Sequence, residues 1–447
     1  MSLFLIVYAL ALLLLAFLSF RKKDSFQKYI LADRNQPKIL IIASMLASTI
    51  GGGLTIGTVN KAYLLGFPAF WFVASGAIAH LTQGLFLSEK VRKTEALTLP
   101  DLAAKLSSPQ VGRLTGIIIV LTWTGIAGAQ FLALSKVITT ITGFGHAEAI
   151  IAAAAFLVIY TIMGGQRSIL KSDFLQFGLL AISLIIAVVW LFTARPVAFG
   201  SLGISLFSPK FTPSDLLYYL VVVAGSYLIC PMMFGRILSS DSAKSARTAS
   251  FVSAAGMLLF AFVITAFGLW ARASSFNPGS SDPLNAMISG VFPPILGFLM
   301  TFGILAAILS TADTVLLTAA SVLEHDVIQG DSLYRTQTWV GVIGFFAAFV
   351  ALFQTDIVDL LLKTYQGYTS GIVPALFVAI ALYGRKRVRP AFLFAAIFSG
   401  YLLGFTGSFL SSSALQKGFA FAGILISALV SFVGIERKPR PSQANQT

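Results

Sequence analysis

The sequence predicts an all-α membrane protein of about thirteen transmembrane helices. Three observations carry this. Hydrophobic residues fill 57% of the 447 positions and charged residues only 11%, with a mean hydropathy of +0.88; soluble domains carry about 25% charged residues. A soluble core stops growing at about 250–300 residues, so the bilayer must solvate most of the chain. Apolar runs close to the ~20 residues that span a bilayer recur from one end to the other. Lys and Arg gather in alternate connections between those runs.

The runs lie at 3–20, 38–64, 67–89, 112–141, 146–163, 166–193, 215–235, 246–271, 294–322, 336–353, 357–383, 390–410 and 416–435. Between Pro283 and Pro293 the stretch is too short to span and reads as an interfacial helix. The first run has no basic leader and no small-residue cleavage site, so it reads as a retained helix rather than a signal peptide. A single cysteine, Cys230, excludes a disulfide framework and any Cys-based metal cluster. The three histidines (His80, His146 and His325) are far apart in sequence and argue against a His-driven catalytic centre.

A formal charge of +14 raises the question of nucleic acid. Its distribution answers it. Connections on one side hold 24 basic residues, from Arg21, Lys22 and Lys23 through Arg92, Arg167, Arg236 and Arg335 to the GRKRVRP run and Arg437. The other side holds only Lys61, Arg195, Lys210, Arg272 and Lys417. This is the positive-inside pattern. It puts the N-terminus outside and the C-terminus in the cytoplasm of a multi-pass cell inner-membrane protein. It also accounts for the basic charge through the lipid bilayer, without nucleic acid; no protein partner is indicated.

Inside the apolar runs the polar residues become informative. The second run, IIASMLASTIGGGLTIGTVNKAYLLG, carries Gly51, Gly52 and Gly53 at its middle, flanked by Ser48, Thr49 and Thr55. Each Gly costs about 1 kcal/mol relative to Ala in a helix. The stretch fits an unwound break, which at membrane depth must line a cavity or be buried in protein. It fits close helix packing through small residues equally well. The ninth run places Ala307, Ser310, Thr311, Thr314, Thr318 and Ser321 on one face by three- and four-residue spacing. That face offers oxygen ligands for a hard cation such as sodium, or hydroxyl contacts between helices.

Ionised groups at mid-membrane cost roughly 2.5–3.5 kcal/mol on insertion scales, so Asp313 and Asp173 must face protein or water. Asp173 also reads as a cytoplasmic-interface charge near Arg167 and Lys171, and Asp313 as a structural partner. Asp359 and Lys363 are spaced as an i,i+4 pair, and Lys136 as a snorkelling side chain. His80 and Gln83, three residues apart, either line a solute cavity or fill a packing role. The five tryptophans suit interfacial belts rather than an aromatic cage.

Five stretches then resemble one family in its own order. They are YILADRNQP, ASMLASTIGGGLTIGTVNKAYLLG, YTIMGGQRSILKSDFLQ, FGRILSSDSAKSAR and AAILSTADTVLLTAASVLEHDV. Between about residues 28 and 400 the chain resembles the sodium:solute symporter family, which includes proline and pantothenate symporters and sodium–glucose cotransporters. The resemblance implies a LeuT-type core of two inverted five-helix repeats, 38–193 and 215–383. Residues 1–37 would form a peripheral first helix and cytoplasmic loop, and 384–447 peripheral helices and a short cytoplasmic tail. It implies sodium as the coupling ion, held by the carbonyls of Ala47, Ile50 and Ala307 and the hydroxyls of Ser310 and Thr311. Asp173 falls where the family relays sodium toward its inward exit.

The sequence also departs from the family. Thr49 stands where the proline branch has an acidic residue, and Gly235 replaces the Gln before Arg236. The Gly51–Gly53 triplet lacks the polar side chains of sugar carriers, which turns the expectation from a hexose toward an amino acid or small organic carboxylate. Bare N–H groups at a helix start would suit a carboxylate. The expected solute site comprises Gly51, Gly52, Gly53, Thr55, His80, Gln83 and Ser226. The function expected is sodium-coupled import of a small polar solute by alternating access, without catalysis. A proton-coupled carrier, a passive facilitator and a transporter-derived sensor are the alternatives. Uptake without a sodium gradient, or in sodium-free buffer under a pH gradient, distinguishes the first two. A sensor would want an attached signalling domain.

Overall fold

The computed structural model describes residues 25–163, 166–279, 281–384 and 386–437, and of Arg167 the backbone alone. The expected span at 3–20 and the basic residues of the tail beyond Arg437 lie outside the described residues. A short α1 (Phe26–Leu31) is capped by the Ser25 hydroxyl. Next come α2 (Lys38–Thr49) and α3 (Gly52–Leu65), two halves of one span bent by 50°. α4 (Phe70–Thr82) continues through a π-helical turn at Gln83–Leu87 to Lys93. α5 (Leu99–Leu106) leads into α6 (Pro109–Thr142), α7 (His146–Met163) and α8 (Gln166–Ala194).

The second half opens with α9 (Pro213–Tyr218), which runs through a π-helical turn at Tyr219–Val223 to Leu228. A 42° bend separates it from α10 (Pro231–Ser239). The rest are α11 (Ala243–Ala273), α12 (Pro283–Gly290), α13 (Pro294–Val322), α14 (Leu333–Leu352), α15 (Ile357–Ala381), α16 (Pro390–Gly407) and α17 (Ser413–Val433). Among the described residues, nine helices are long and apolar enough to cross a membrane, and the bent pairs raise this to eleven. The 25-residue α15 is more polar but long enough, at ~1.5 Å per residue.

Helix starts follow local chemistry. Proline occupies the first turn of α5, α6, α12, α13 and α16, where its missing N–H is no loss. Side chains of Thr98, Ser108, Ser242 and Ser332 accept the free first-turn N–H groups of their helices. The short stretch after Pro283, expected as a helix, forms α12.

α13 is the axis of the fold. It is buried along nearly its whole length and packs against α2, α6, α8 and α14. α8 and α17 instead carry exposed apolar side chains, among them Leu175, Ile182, Val189, Leu425 and Leu429, as lipid-facing helices do. α16 and α17 pack on each other and on α15. The basic run after α15, expected as a plain loop, contains β1 (Lys386–Val388), antiparallel to β2 (Ile435–Arg437). An Arg387–Glu436 ion pair at 2.6 Å ties the two strands.

Candidate functional site

The site is built where α2 stops. The Ile50 N–H still reaches the Leu46 carbonyl at 2.8 Å. From Ala47 onward the carbonyls meet the helix end, where intrahelical donors run out. Gly51 then caps α3 in extended conformation (φ −78°, ψ 177°), which any residue can adopt. Its glycine is needed for space. A Cβ on Gly51 would stand 2.4 Å from Thr311 Oγ1, and one on Gly52 2.1 Å from Ile308 Cγ1. The unwound break and the close packing through small residues are therefore both present, and each requires the other.

Thr311 Oγ1 donates to the Ser48 carbonyl at 3.3 Å and lies 3.0 Å from the Ala307 carbonyl. The broken stretch and the hydroxyl face of α13 thus meet. On the preceding residue, Ser310 Oγ donates to Asp173 Oδ1 at 2.5 Å. Asp173 is fully buried, not an interfacial charge, and its Oδ2 accepts from Ser44 Oγ. Arg236 Nη2 sits 3.2 Å from that oxygen, and also donates to Ser48 Oγ at 2.7 Å and Thr314 Oγ1 at 2.8 Å. Its Nε donates to Ser44 Oγ at 2.9 Å. A buried ion pair survives only when further hydrogen bonds satisfy both partners, and four hydroxyls do so here.

Arg236 corrects the charge reading. Counted in sequence among cytoplasmic connections, it lies on α10 and is 1% exposed. The polar stripe around it is what draws it inward. Asp313, beside this cluster and 1% exposed, accepts from Thr314 Oγ1 at 3.3 Å, while its Oδ2 has no partner among the described residues. Lys363 and Asp359 form the expected pair at 2.8 Å. Lys136 pairs with Asp282 at 3.2 Å rather than only snorkelling.

A narrow cavity of about 30 Å³ opens beside the break, between α2, α3, α6, the two halves of the second bent span, α13 and α15. Gly51 and Ser226, both expected there, line it, together with Thr311, Trp123, Gln130, Tyr227 and Tyr365. Trp123 corrects the belt assignment: it sits mid-way along α6, is 2% exposed and stacks edge-on against Tyr368 at 5.1 Å. Its distance from either end of the 34-residue α6 is the signal the sequence offered.

His80 and Gln83 stand outside the cavity wall. Gln83 Nε2 donates to the carbonyls of Tyr227 and Leu228 at 2.8 and 3.0 Å. Its Oε1 accepts from His80 Nδ1 at 2.8 Å, so the ring's other nitrogen faces Thr49 Oγ1 at 3.4 Å. These two side chains close the last turn of the helix before the second break. Gly52 and Gly53 pack against Ile308 and Leu361, and Thr55 Oγ1 returns to the Gly51 carbonyl at 3.0 Å.

The family model of the sodium:solute symporter family matches residues 29–337, more than half the chain. The chain belongs to this family. Among the chain's relatives, a high-affinity choline transporter of Drosophila melanogaster is 26% identical over 72% of this chain and 56% of its own. A sodium/proline symporter of Salmonella typhimurium is 24% identical over 75% of this chain and 72% of its own. The chain spans about half the length of the choline transporters it matches. A Na⁺-coupled sialic acid symporter, solved in a substrate-bound outward-open state, superposes with a TM-score of 0.76 at 15% identity, covering 96% of both chains. The chain's fold is accordingly the LeuT type.

Proposed function

We propose that this symporter imports a small polar solute, driven by sodium and worked by alternating access. The observation that carries this is the contact of Thr311 with the Ser48 carbonyl at the break. It brings a helix-end carbonyl and a hydroxyl together at a buried point, which supports an oxygen donor set of the kind a dehydrated hard cation needs. Sodium would be held by the carbonyls of Ala47, Ile50 and Ala307 and the hydroxyls of Ser310 and Thr311. Bridging α2 to α13 would favour the state in which the cavity wall is complete. Ser310, already bonded to Asp173, would then pass the ion toward that carboxylate on its way inward.

The solute would occupy the cavity beside Gly51 and Ser226 once its wall helices part to widen it. That relatives include transporters of proline and of choline supports a compact nitrogen-bearing solute. Two repeats, 38–193 and 215–383, are supported by the placing of a bent span at the start of each. The basic connections support an outside N-terminus and a cytoplasmic C-terminus. The membrane potential would add about 2.3 kcal/mol per sodium per 100 mV, and sodium and solute must raise each other's affinity equally.

The test is uptake into proteoliposomes under a sodium gradient, alongside thermal shift of the purified chain in sodium. The double variant S310A/T311A is expected to weaken apparent sodium affinity at least about tenfold. Unaltered sodium dependence in that variant would sink the assignment.

A further inference from the structure

We propose that the strand pair β1–β2 is a binding surface for the headgroup of an acidic phospholipid. This rests on the cytoplasmic placing of that end of the chain given above, and on no step of transport. Two basic runs far apart in sequence, one after α15 and one after α17, meet here because the strands pair antiparallel. The register sets Lys386 directly opposite Arg437, with Arg387 opposite Glu436 and Val388 opposite Ile435. Glu436 is the only acid in the two strands, and Arg387 already takes it at 2.6 Å. Lys386 and Arg437 are exposed, and neither has an acidic partner among the described residues. Like charges directly opposite each other weaken a strand pair, so this register calls for an anion between them. Arg389 adds a third exposed cation, lying over the Phe392 ring at 4.7 Å where α16 begins without a side-chain cap.

The neighbouring surface says which anion. Phe432 and Val433, both more than half exposed, end α17 just before β2, and Phe398 is half exposed on α16, which follows β1. Unneutralised cations therefore stand where exposed apolar surface stops. A soluble anion meets the charges alone, whereas a phospholipid meets the charges with its phosphate and the apolar surface with its tails. Basic clusters immediately cytoplasmic of spanning helices attract acidic headgroups in this way. The cluster is also held in place. Val388 is 1% exposed and fixes β1 to the protein, and the Arg389 N–H donates to the Gly434 carbonyl at 2.9 Å. That fixed geometry distinguishes these cations from scattered ones such as Lys28 and Lys244, which lie at other exposed positions on the side assigned to the cytoplasm.

The experiment measures thermal shift and native mass spectrometry on the purified full chain in detergent. Phosphatidylglycerol, phosphatidylcholine with the same acyl chains, and inorganic phosphate are added separately. Phosphatidylglycerol is expected to bind at least about tenfold more tightly than phosphatidylcholine and to raise the thermal midpoint, and phosphate to give no shift. K386Q/R437Q should weaken phosphatidylglycerol about tenfold or more, at about fivefold per basic group. Its midpoint without lipid should stay at or above that of the parent chain, because the cross-strand repulsion is gone. The charge-matched K28Q/K244Q should bind phosphatidylglycerol within about threefold of the parent chain, since charges beyond a Debye length are screened. Equal binding of the two lipids or a matching shift with phosphate overturns the proposal. So does unchanged affinity or a lowered lipid-free midpoint in K386Q/R437Q, or an equal loss in K28Q/K244Q. Detergent removes sidedness, so the cytoplasmic placing is tested separately, by protease access to the tail in sealed inside-out vesicles.

Discussion

The two bent spans answer one problem in different ways. Each interrupts a helix inside the membrane, and each must satisfy the backbone groups it frees. At the second bend the chain uses its own side chains: Gln83 takes the carbonyls of Tyr227 and Leu228, Tyr368 takes that of Ile229, and Pro231 opens α10 without an N–H. At the first bend, Gly51 and Gly52 bring the backbone against α13 and Gly53 brings it against α15, and the only side-chain bond to a freed carbonyl described there is a 3.3 Å contact from Thr311. One break is plugged by side chains; the other is not, and on the proposed reading it takes an exchangeable ion. That asymmetry separates a structural joint from a binding site better than bend angle does, since the angles are 50° and 42°.

The comparison can be broken at four places. The largest effect is expected at Arg236, whose removal leaves Asp173 charged and buried beside the open break. R236A should lower stability by about 3–5 kcal/mol, read as a fall in the thermal midpoint. R236A combined with D173N should recover much of it. A folded R236A with an unchanged midpoint would mean that the ion pair does not hold this corner together. Next, Gly52→Val drives a side chain into Ile308 and should cost about 1–3 kcal/mol or more. It should also blunt sodium-dependent uptake, because it pushes the break away from α13.

At the plugged joint, Q83L frees the carbonyls of Tyr227 and Leu228 and should cost about 1–3 kcal/mol. Apparent sodium affinity should stay within about threefold. A Q83L variant that lost sodium dependence as completely as S310A/T311A would erase the distinction between the two breaks. The smallest effect belongs to K363M. Its partner is one turn away and both side chains are at least a third exposed, so solvent screening leaves a loss below about 0.5 kcal/mol.

Much of this architecture could be read from residue order because the bilayer imposes simple rules. Span limits, the glycine break and the hydroxyl face of α13 are local patterns, and they stand where periodicity put them. Arg236 was not legible in this way. Its neighbours Ser44, Ser48, Asp173 and Thr314 come from three other helices, and a count of charges along the chain treats it like any loop arginine. The serine spacing in SMLAS, four residues apart, was the available hint. The wall formed by Trp123, Gln130 and Tyr365 was equally hidden, since an aromatic or amide in an apolar run has no address until helices pack. The second bend went unread in 215–235 because Pro231 alone does not distinguish a kink from a continuous helix.

The π-helical turn at Tyr219–Val223 carries a consequence for how this wall can evolve. Such a turn is a single-residue insertion in an α-helix, and each residue added advances the helix by ~100°. The Val222 carbonyl is met by Thr369 Oγ1 at 2.9 Å, which anchors the insertion to α15. Everything after it, including Ser226 and Tyr227, therefore owes its compass heading to one extra amino acid. Deleting that residue would leave an ordinary helix of nearly the same length with a different side chain turned toward the solute, so selectivity here can change by indel as readily as by substitution.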